Sequence, residues 1–195
     1  VQLDYAKRNP GSRFKMPARW YRVDLPGDRP LVALIALDSN PGRLKKERWA
    51  EQTGWLEAVL PKAAEVPWTV AFAHHPLFSD SAHGDDEDLQ RDWGPHFKRH
   101  GVDFYLAGHD HALQHLQMPE WATSFLVSGG GGYDTYEIEE ERAAFARSAH
   151  GFVHLQFTAE RCRVTFVDPE GKTLHRFERT RAGKVTIGEG AAGTR

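Results

Sequence analysis

Two imidazoles, His109 and His111, stand two residues apart at the end of an apolar run from Val102 to Ala107. In an extended chain residues i and i+2 project to the same side, so both rings can face one small volume. A second apolar run, Val70-Ala71-Phe72-Ala73, ends in His74-His75-Pro76. Two buried strands that discharge histidines at their carboxyl ends predict a metal site, with His74, His109 and His111 as ligands. Gly108 fits this reading, because a residue without a side chain lets the backbone turn tightly beside an ion. Asp110, between the two ligands, either holds a ligand ring in place or is a surface carboxylate. Of the adjacent pair His74 and His75 only one points into the site in an extended chain, so His75 either meets substrate or packs. His83 lies in the polar stretch Ser81-Ala82-His83-Gly84 and is a candidate for substrate binding or proton transfer. His96, His100, His115, His150, His154 and His175 have no motif around them and read as structural or exposed.

The elements that must position these residues alternate. Val1 to Arg8 reads as helical turns ended by Asn9-Pro10-Gly11. Trp20 to Leu25 and Leu31 to Leu37 read as paired strands across Pro26-Gly27-Asp28, the second buried on both faces. Arg43 to Leu60 carries an apolar stripe of Trp49, Trp55, Leu56, Val59 and Leu60, which predicts a helix. Thr69 to Ala73 is the next buried strand, Asp88 to His100 a second helix and Val102 to Ala107 a third buried strand. This alternation predicts a parallel sheet with helices packed on it. Ligands sit beyond the carboxyl ends of such strands, which brings the ends at Asp38, His74 and His109 to one edge.

After His111 the pattern changes to short strands: Ala112 to Gln117, Ser124 to Val127, Phe152 to Phe157, Arg163 to Val167 and Thr173 to Phe177. Asp168-Pro169-Glu170-Gly171 predicts a hairpin turn. Glu137 to Arg147 reads as a charged helix or an ordered insert, and residues 181–195 as a flexible tail without a periodic apolar face. Ser128-Gly129-Gly130-Gly131-Gly132 lacks the Gly-Lys-Ser/Thr ending of a nucleotide loop; it either admits a close backbone approach or is a flexible turn. Asp85-Asp86-Glu87-Asp88 reads as an acidic helix start, without the spacing of a calcium loop.

The 195 residues suffice for one domain with a core, and 40% are hydrophobic, an ordinary share for a globular protein. A net charge of -2 with scattered basic residues argues against a nucleic-acid partner. No apolar run approaches the roughly 18 residues that span a bilayer, so no membrane partner is expected. The lone Cys162 excludes an internal disulfide and a cysteine-built zinc site; a free thiol fits a reducing compartment. The chain opens Val1-Gln2-Leu3-Asp4-Tyr5, without an initiator Met or an apolar leader, and reads as a piece whose beginning lies elsewhere.

The constellation resembles the calcineurin-like metallophosphoesterases, and within them is similar to purple acid phosphatases of the small, tartrate-resistant type. Ala73-His74-His75-Pro76-Leu77-Phe78-Ser79 with His83-Gly84 carries the resemblance, together with Gly101 to His111 and Leu126 to Gly131. Trp20-Tyr21-Arg22-Val23 and Gln52-Thr53-Gly54-Trp55-Leu56 add to it. The resemblance implies a mixed α/β fold, the C-terminal half of a four-layer α/β/β/α sandwich over residues 1–180. It implies that His74 and His109 ligate one metal of a binuclear centre of iron, zinc or manganese and His111 the other, with His83, joined by His75, acting on the phosphate or its leaving group. The reaction implied is phosphate monoester hydrolysis by a metal-bound hydroxide, on a phosphorylated small molecule or a phosphoprotein; purple acid phosphatases are often exported, and the sequence itself leaves the compartment open.

The family's earlier motifs are an Asp-x-His pair, a Gly-Asp that bears the bridging aspartate after a buried strand, and Gly-Asn-His-Asp; the first and last are not in this sequence, and Gly27-Asp28 sits in a hairpin turn and does not follow a buried strand. This chain is therefore expected to supply only part of the ligands, to need an N-terminal half in cis or in trans, and to be weakly active or inactive alone. The alternatives are a non-catalytic remnant that binds phosphate or a protein, and a mononuclear metal-binding module of the His₃ kind.

Overall fold

The computed structural model describes residues 1–139 and 142–188. Its larger sheet has seven strands in the order β1-β2-β3-β4-β6-β5-β7. These are β1 Tyr21–Leu25, β2 Val32–Ala36, β3 Trp68–Phe72, β4 Phe104–Ala107, β5 Leu113–Leu116, β6 Ser124–Ser128 and β7 Phe145–Arg147. Strands β2, β3, β4 and β6 run parallel, so their carboxyl ends share one edge. A second, antiparallel sheet has the order β11-β10-β9-β8, from β8 Phe152–Phe157, β9 Arg161–Val167, β10 Thr173–Thr180 and β11 Val185–Ile187. The helices are α1 Gln2–Arg8, α2 Pro41–Ala63 and α3 Glu87–His100.

The layers follow from the pattern of side chains. Ala33, Ile35, Ala71, Tyr105 and Val127 face the helices, where Leu56 and Leu60 of α2 and Leu89, Trp93 and Phe97 of α3 are fully buried. Burying each of those large side chains contributes about 1.5–3 kcal/mol. Val32, Val70, Phe104 and Leu126 face the other way, onto Val164, Phe166, Leu174 and Phe177 of the small sheet. The result is a mixed α/β arrangement of helices, a large sheet and a small sheet: three layers of the expected four among the described residues.

Local chemistry sets the helix ends. Asn40 accepts a hydrogen bond from the Arg43 amide at 3.1 Å and Pro41 opens α2. Asp86 accepts from the Leu89 amide at 2.9 Å to cap α3, and Gly101, at φ 63°, ends it in the left-handed conformation. The acidic run before α3 is thus a helix start, as its composition predicts.

Of the two readings of Glu137 to Arg147, the described residues take the ordered insert and not the helix: Ile138 bridges Ser81, and Phe145–Arg147 pairs with β5 as an edge strand; residues 140–141 lie outside the described residues. Within the expected tail, Val185–Ile187 pairs with β10, three residues too few to show an alternating pattern; residues 189–195 of that tail lie outside the described residues.

Candidate metal centre

The parallel edge brings the ends of β3 and β4 together. The Gly108 amide donates to the His74 carbonyl at 3.0 Å, and the Tyr105 hydroxyl donates to the His75 carbonyl at 2.7 Å. Beyond Ala107 the chain is not extended. Asp110 N–H donates to the Gly108 carbonyl and Ala112 N–H to the Asp110 carbonyl, each at 2.7 Å, and His109 takes φ 63°. The alternation that was to put His109 and His111 on one side therefore stops before it reaches them.

His109 becomes the hub. Its ring centroid lies 4.4 Å from that of His75, 4.5 Å from His83 and 5.0 Å from His74. His109 Nδ1 is 3.1 Å from His74 Nε2. Ligand nitrogens of His74, His75 and His109 all fall within 4.8 Å of one another, a spacing that can close on one ion. His111 stands outside that trio: its Nδ1 donates to the Asp134 carbonyl at 2.9 Å and its ring stacks on Tyr136 at 4.3 Å.

The rings around the hub are held from behind. Ser39, one residue past Asp38 at the end of β2, has its hydroxyl oxygen 2.8 Å from His75 Nδ1 and accepts the His75 amide at 2.9 Å. Buried Gln52 fixes that stretch through both its amide groups, accepting from Asp38 N–H at 2.8 Å and donating to the Asp38 carbonyl at 3.0 Å. The Asp38 carboxylate itself pairs with Arg19 at 3.7 Å and takes no part in the histidine cluster. His83 Nδ1 lies 2.6 Å from Oδ1 of the fully buried Asp110, whose Oδ2 accepts from the Ser79 hydroxyl. Asp110 thus holds a ring, and is no surface carboxylate.

The His83 loop is anchored in turn. Asp80, fully buried, meets Arg142 Nε at 3.0 Å and accepts the amides of Arg142 and Ala143 at 2.8 and 2.7 Å. Arg142 also reaches both oxygens of Asp85, at 2.9 and 2.8 Å. Together with α3's acidic start, these loops wall a cleft of about 450 Å³ lined by His75, Pro76, His83, His109 and the run Gly84 to Asp88.

Electrostatics favours neutral imidazoles, the form that binds metal. Partial burial, then the neighbouring His75 and His111, hold His74 below the usual histidine pKa. Partial burial, then His75 and His83, do the same for His109.

The glycine run resolves toward close approach. A Cβ on Gly129 would lie 1.9 Å from the Asp110 carbonyl oxygen, so only glycine lets β6 pass under the His109–His111 turn. Gly129→Ala is expected to cost about 1–3 kcal/mol or more, since the obstacle is backbone. It should also weaken metal uptake by displacing Asp110; unchanged urea unfolding and unchanged uptake would contradict this.

Sequence reading missed Ser39, Gln114 and Tyr136, and gave no role of their own to Gln52 and Ser79, which it met only within motifs. Ser39 was within reach of the strand-end rule that pointed to Asp38. Gln114, a polar residue inside the buried strand β5, donates to Ser79 and Ser81 at 3.0 and 2.6 Å, and buried polarity of that kind is a signal. Tyr136 follows a glycine-rich loop and carries none.

Comparison with known proteins gives the geometry a family. The chain is 31% identical over 175 residues to purple acid phosphatase 17 of Arabidopsis thaliana, covering 77% of this chain and 51% of that one. It is 27% identical over 211 residues to tartrate-resistant acid phosphatase type 5 of Oryctolagus cuniculus, covering 95% of this chain and 64% of that one. The chain thus spans about half of the first relative's length and under two thirds of the second's. Among solved structures, the purple acid phosphatase PPD1 from yellow lupin (Lupinus luteus) seeds superposes with a TM-score of 0.70 at 20% identity, over 86% of this chain and 34% of that one. The calcineurin-like phosphoesterase profile matches residues 9–113, more than half of the chain, and the chain belongs to that family.

Proposed function

We propose that this chain contributes the histidine side of a binuclear phosphoesterase centre that hydrolyses phosphate monoesters. The observation that carries the reading is the convergence of His75, His83 and His109 on one cleft at the carboxyl edge of the parallel strands, with His74 packed against His109. In this reading His74 and His109 hold one metal and His111 the other; imidazole suits zinc, iron and manganese. Bound metals there supply Lewis acidity toward the phosphate and a nucleophile at neutral pH.

The chain's own residues supply the rest. With Nδ1 held by Asp110, His83 keeps Nε2 for the phosphate or for protonating the leaving oxygen. His75, on the cleft wall, meets the phosphate. The bridging carboxylate and the asparagine ligand of the family have no counterpart in the sequence, so residues 1–180 act as the C-terminal portion of the catalytic domain. The substrate is a phosphorylated small molecule or phosphoprotein. Among the described residues no helix is long and apolar enough to cross a membrane.

Elemental analysis beside hydrolysis of p-nitrophenyl phosphate tests the reading. After equilibration with zinc, iron or manganese, the chain should retain at most one metal and hydrolyse the ester near the metal-free background. Two tightly held metals per chain with robust hydrolysis would show that the site is complete without a further portion.

A further inference from the structure

We infer that this chain by itself binds a single zinc ion through His74, His75 and His109, with His75 taking the place that the binuclear reading gives to phosphate contact. The inference rests on that reading for His74 and His109 as ligands, and departs from it at His75 and His111.

Distance is the first support. Around a tetrahedral zinc with Zn–N near 2.0–2.1 Å, neighbouring nitrogens stand about 3.3 Å apart. His74 Nε2 and His109 Nδ1 are already 3.1 Å apart. As neutral rings they share one N–H between those two nitrogens. Zinc replaces that proton when each ring carries its hydrogen on the other nitrogen, Nδ1 of His74 and Nε2 of His109. No proton is lost from the pair, and the edge of the coordination tetrahedron changes by a few tenths of an ångström.

The third nitrogen comes from His75. Its ring is 4.8 Å from that of His74 and 4.4 Å from that of His109 by centroid. Ser39 engages Nδ1, which leaves Nε2 as the ligand atom; when Nδ1–H donates to the Ser39 hydroxyl oxygen, His75 holds the tautomer that ligation requires, as a ligating histidine commonly donates its other N–H to an oxygen. Gln52, through Asp38, keeps Ser39 in place.

The rival sets are less free. His83, His109 and Asp110 also lie within 4.8 Å, but Asp110 Oδ1 is committed to His83 and Oδ2 to Ser79. His111 donates Nδ1–H to the Asp134 carbonyl and keeps Nε2, but among the described residues it joins no trio of ligand atoms within 4.8 Å of one another, and its ring packs against Tyr133 and Tyr136. Three protein nitrogens leave a fourth position, and His75 and His109 both line the cleft, so that position opens toward it.

Cobalt(II) titration followed by visible absorption, with zinc competition, tests this on the whole chain, with far-UV circular dichroism as the folding check. One tetrahedral site per chain is expected. His75→Ala should weaken it by about 100-fold or more. Ser39→Ala should weaken it by about 10-fold, the size of effect seen when a residue orienting a ligand is lost, and Ser39→Thr should restore it. His96→Ala, at a half-buried position of α3 outside the cleft lining, serves as the neutral control. A loss with His111→Ala and none with His75→Ala would overturn the inference while leaving the binuclear ligand set intact. No cobalt uptake would overturn the inference alone, and uptake indifferent to His74→Ala and His109→Ala would overturn both. If His75→Ala does not fold, ring ¹⁵N shifts of the unmodified chain decide: His75 Nε2 must shift on zinc addition, and a still His75 resonance refutes its ligation.

Discussion

A His109→Gly chain is expected to lose metal binding by about 100-fold or more and to become more stable in the same step. The two effects have separate causes. His109 supplies a nitrogen to both groupings of candidate ligands and its ring touches His74, His75 and His83, so its removal leaves no trio intact. Its backbone, however, sits at φ 63°, where a side chain is strained and glycine is not. Relief of that strain is worth about 1 kcal/mol. His109→Ala separates the terms: it loses the metal equally but keeps the strained backbone. The measurements are cobalt affinity and urea unfolding, both without and with metal. A glycine variant less stable than the alanine variant would remove the case for strain, and a variant that still takes up metal would remove His109 from the site.

Strain of this kind explains why part of the site was legible in the sequence and part was not. The strands that end at Phe72 and Ala107 are buried and apolar but for Thr69 and declare themselves, and the rule that ligands lie past such ends placed His74 and His109 at one edge. The turn after Gly108 is different, because its two i to i+2 hydrogen bonds and left-handed residue depend on β6 passing beneath at Gly129. A period-two reading of His109 and His111 cannot see that contact. Long-range polar contacts are hidden in the same way: Ser39 to His75 spans 36 positions and Asp80 to Arg142 spans 62. The segment Glu137 to Arg147 is rich in good helix formers. Yet Asp80 captures the amides of Arg142 and Ala143, and β5 offers an edge to Phe145–Arg147. Those tertiary demands outweigh intrinsic preferences of a few tenths of a kcal/mol per residue.

The second large effect lies away from the cleft, between the two sheets. His115 of β5 and His175 of β10 are buried facing each other, with His115 Nδ1 3.1 Å from His175 Nε2. His115 stacks on Phe177 at 3.8 Å and His175 on Phe145 at 4.7 Å. Among the described residues His115 Nε2 has no hydrogen-bond partner. Burial, and then the neighbouring His175, pull His115 down to about 3; burial alone pulls His175 down to about 4. Both are therefore neutral in the fold at any pH above those values, while in the unfolded chain each takes a proton near the ordinary 6.5. Stability is fully present above about pH 6.5 and falls as the pH drops below it, because the unfolded chain then binds protons that the folded one refuses. At pH 5 the loss is about 2 kcal/mol per histidine, roughly 4 kcal/mol for the pair, a large share of a typical domain's stability. Asp85 and Asp92, held low mainly by Arg142 and Arg91 against burial, begin to contribute only below the usual carboxylate range, so they do not enter this window. His74 and His109 act in the same direction, but they remain in a His115→Leu/His175→Leu double variant and cancel in the comparison. Urea unfolding at pH 7.5 and pH 5.0 should show the double variant losing roughly 4 kcal/mol less than the unmodified chain. Equal losses in the two chains would mean that the inter-sheet histidines accept protons within the fold, and that the acid sensitivity of this molecule has another source.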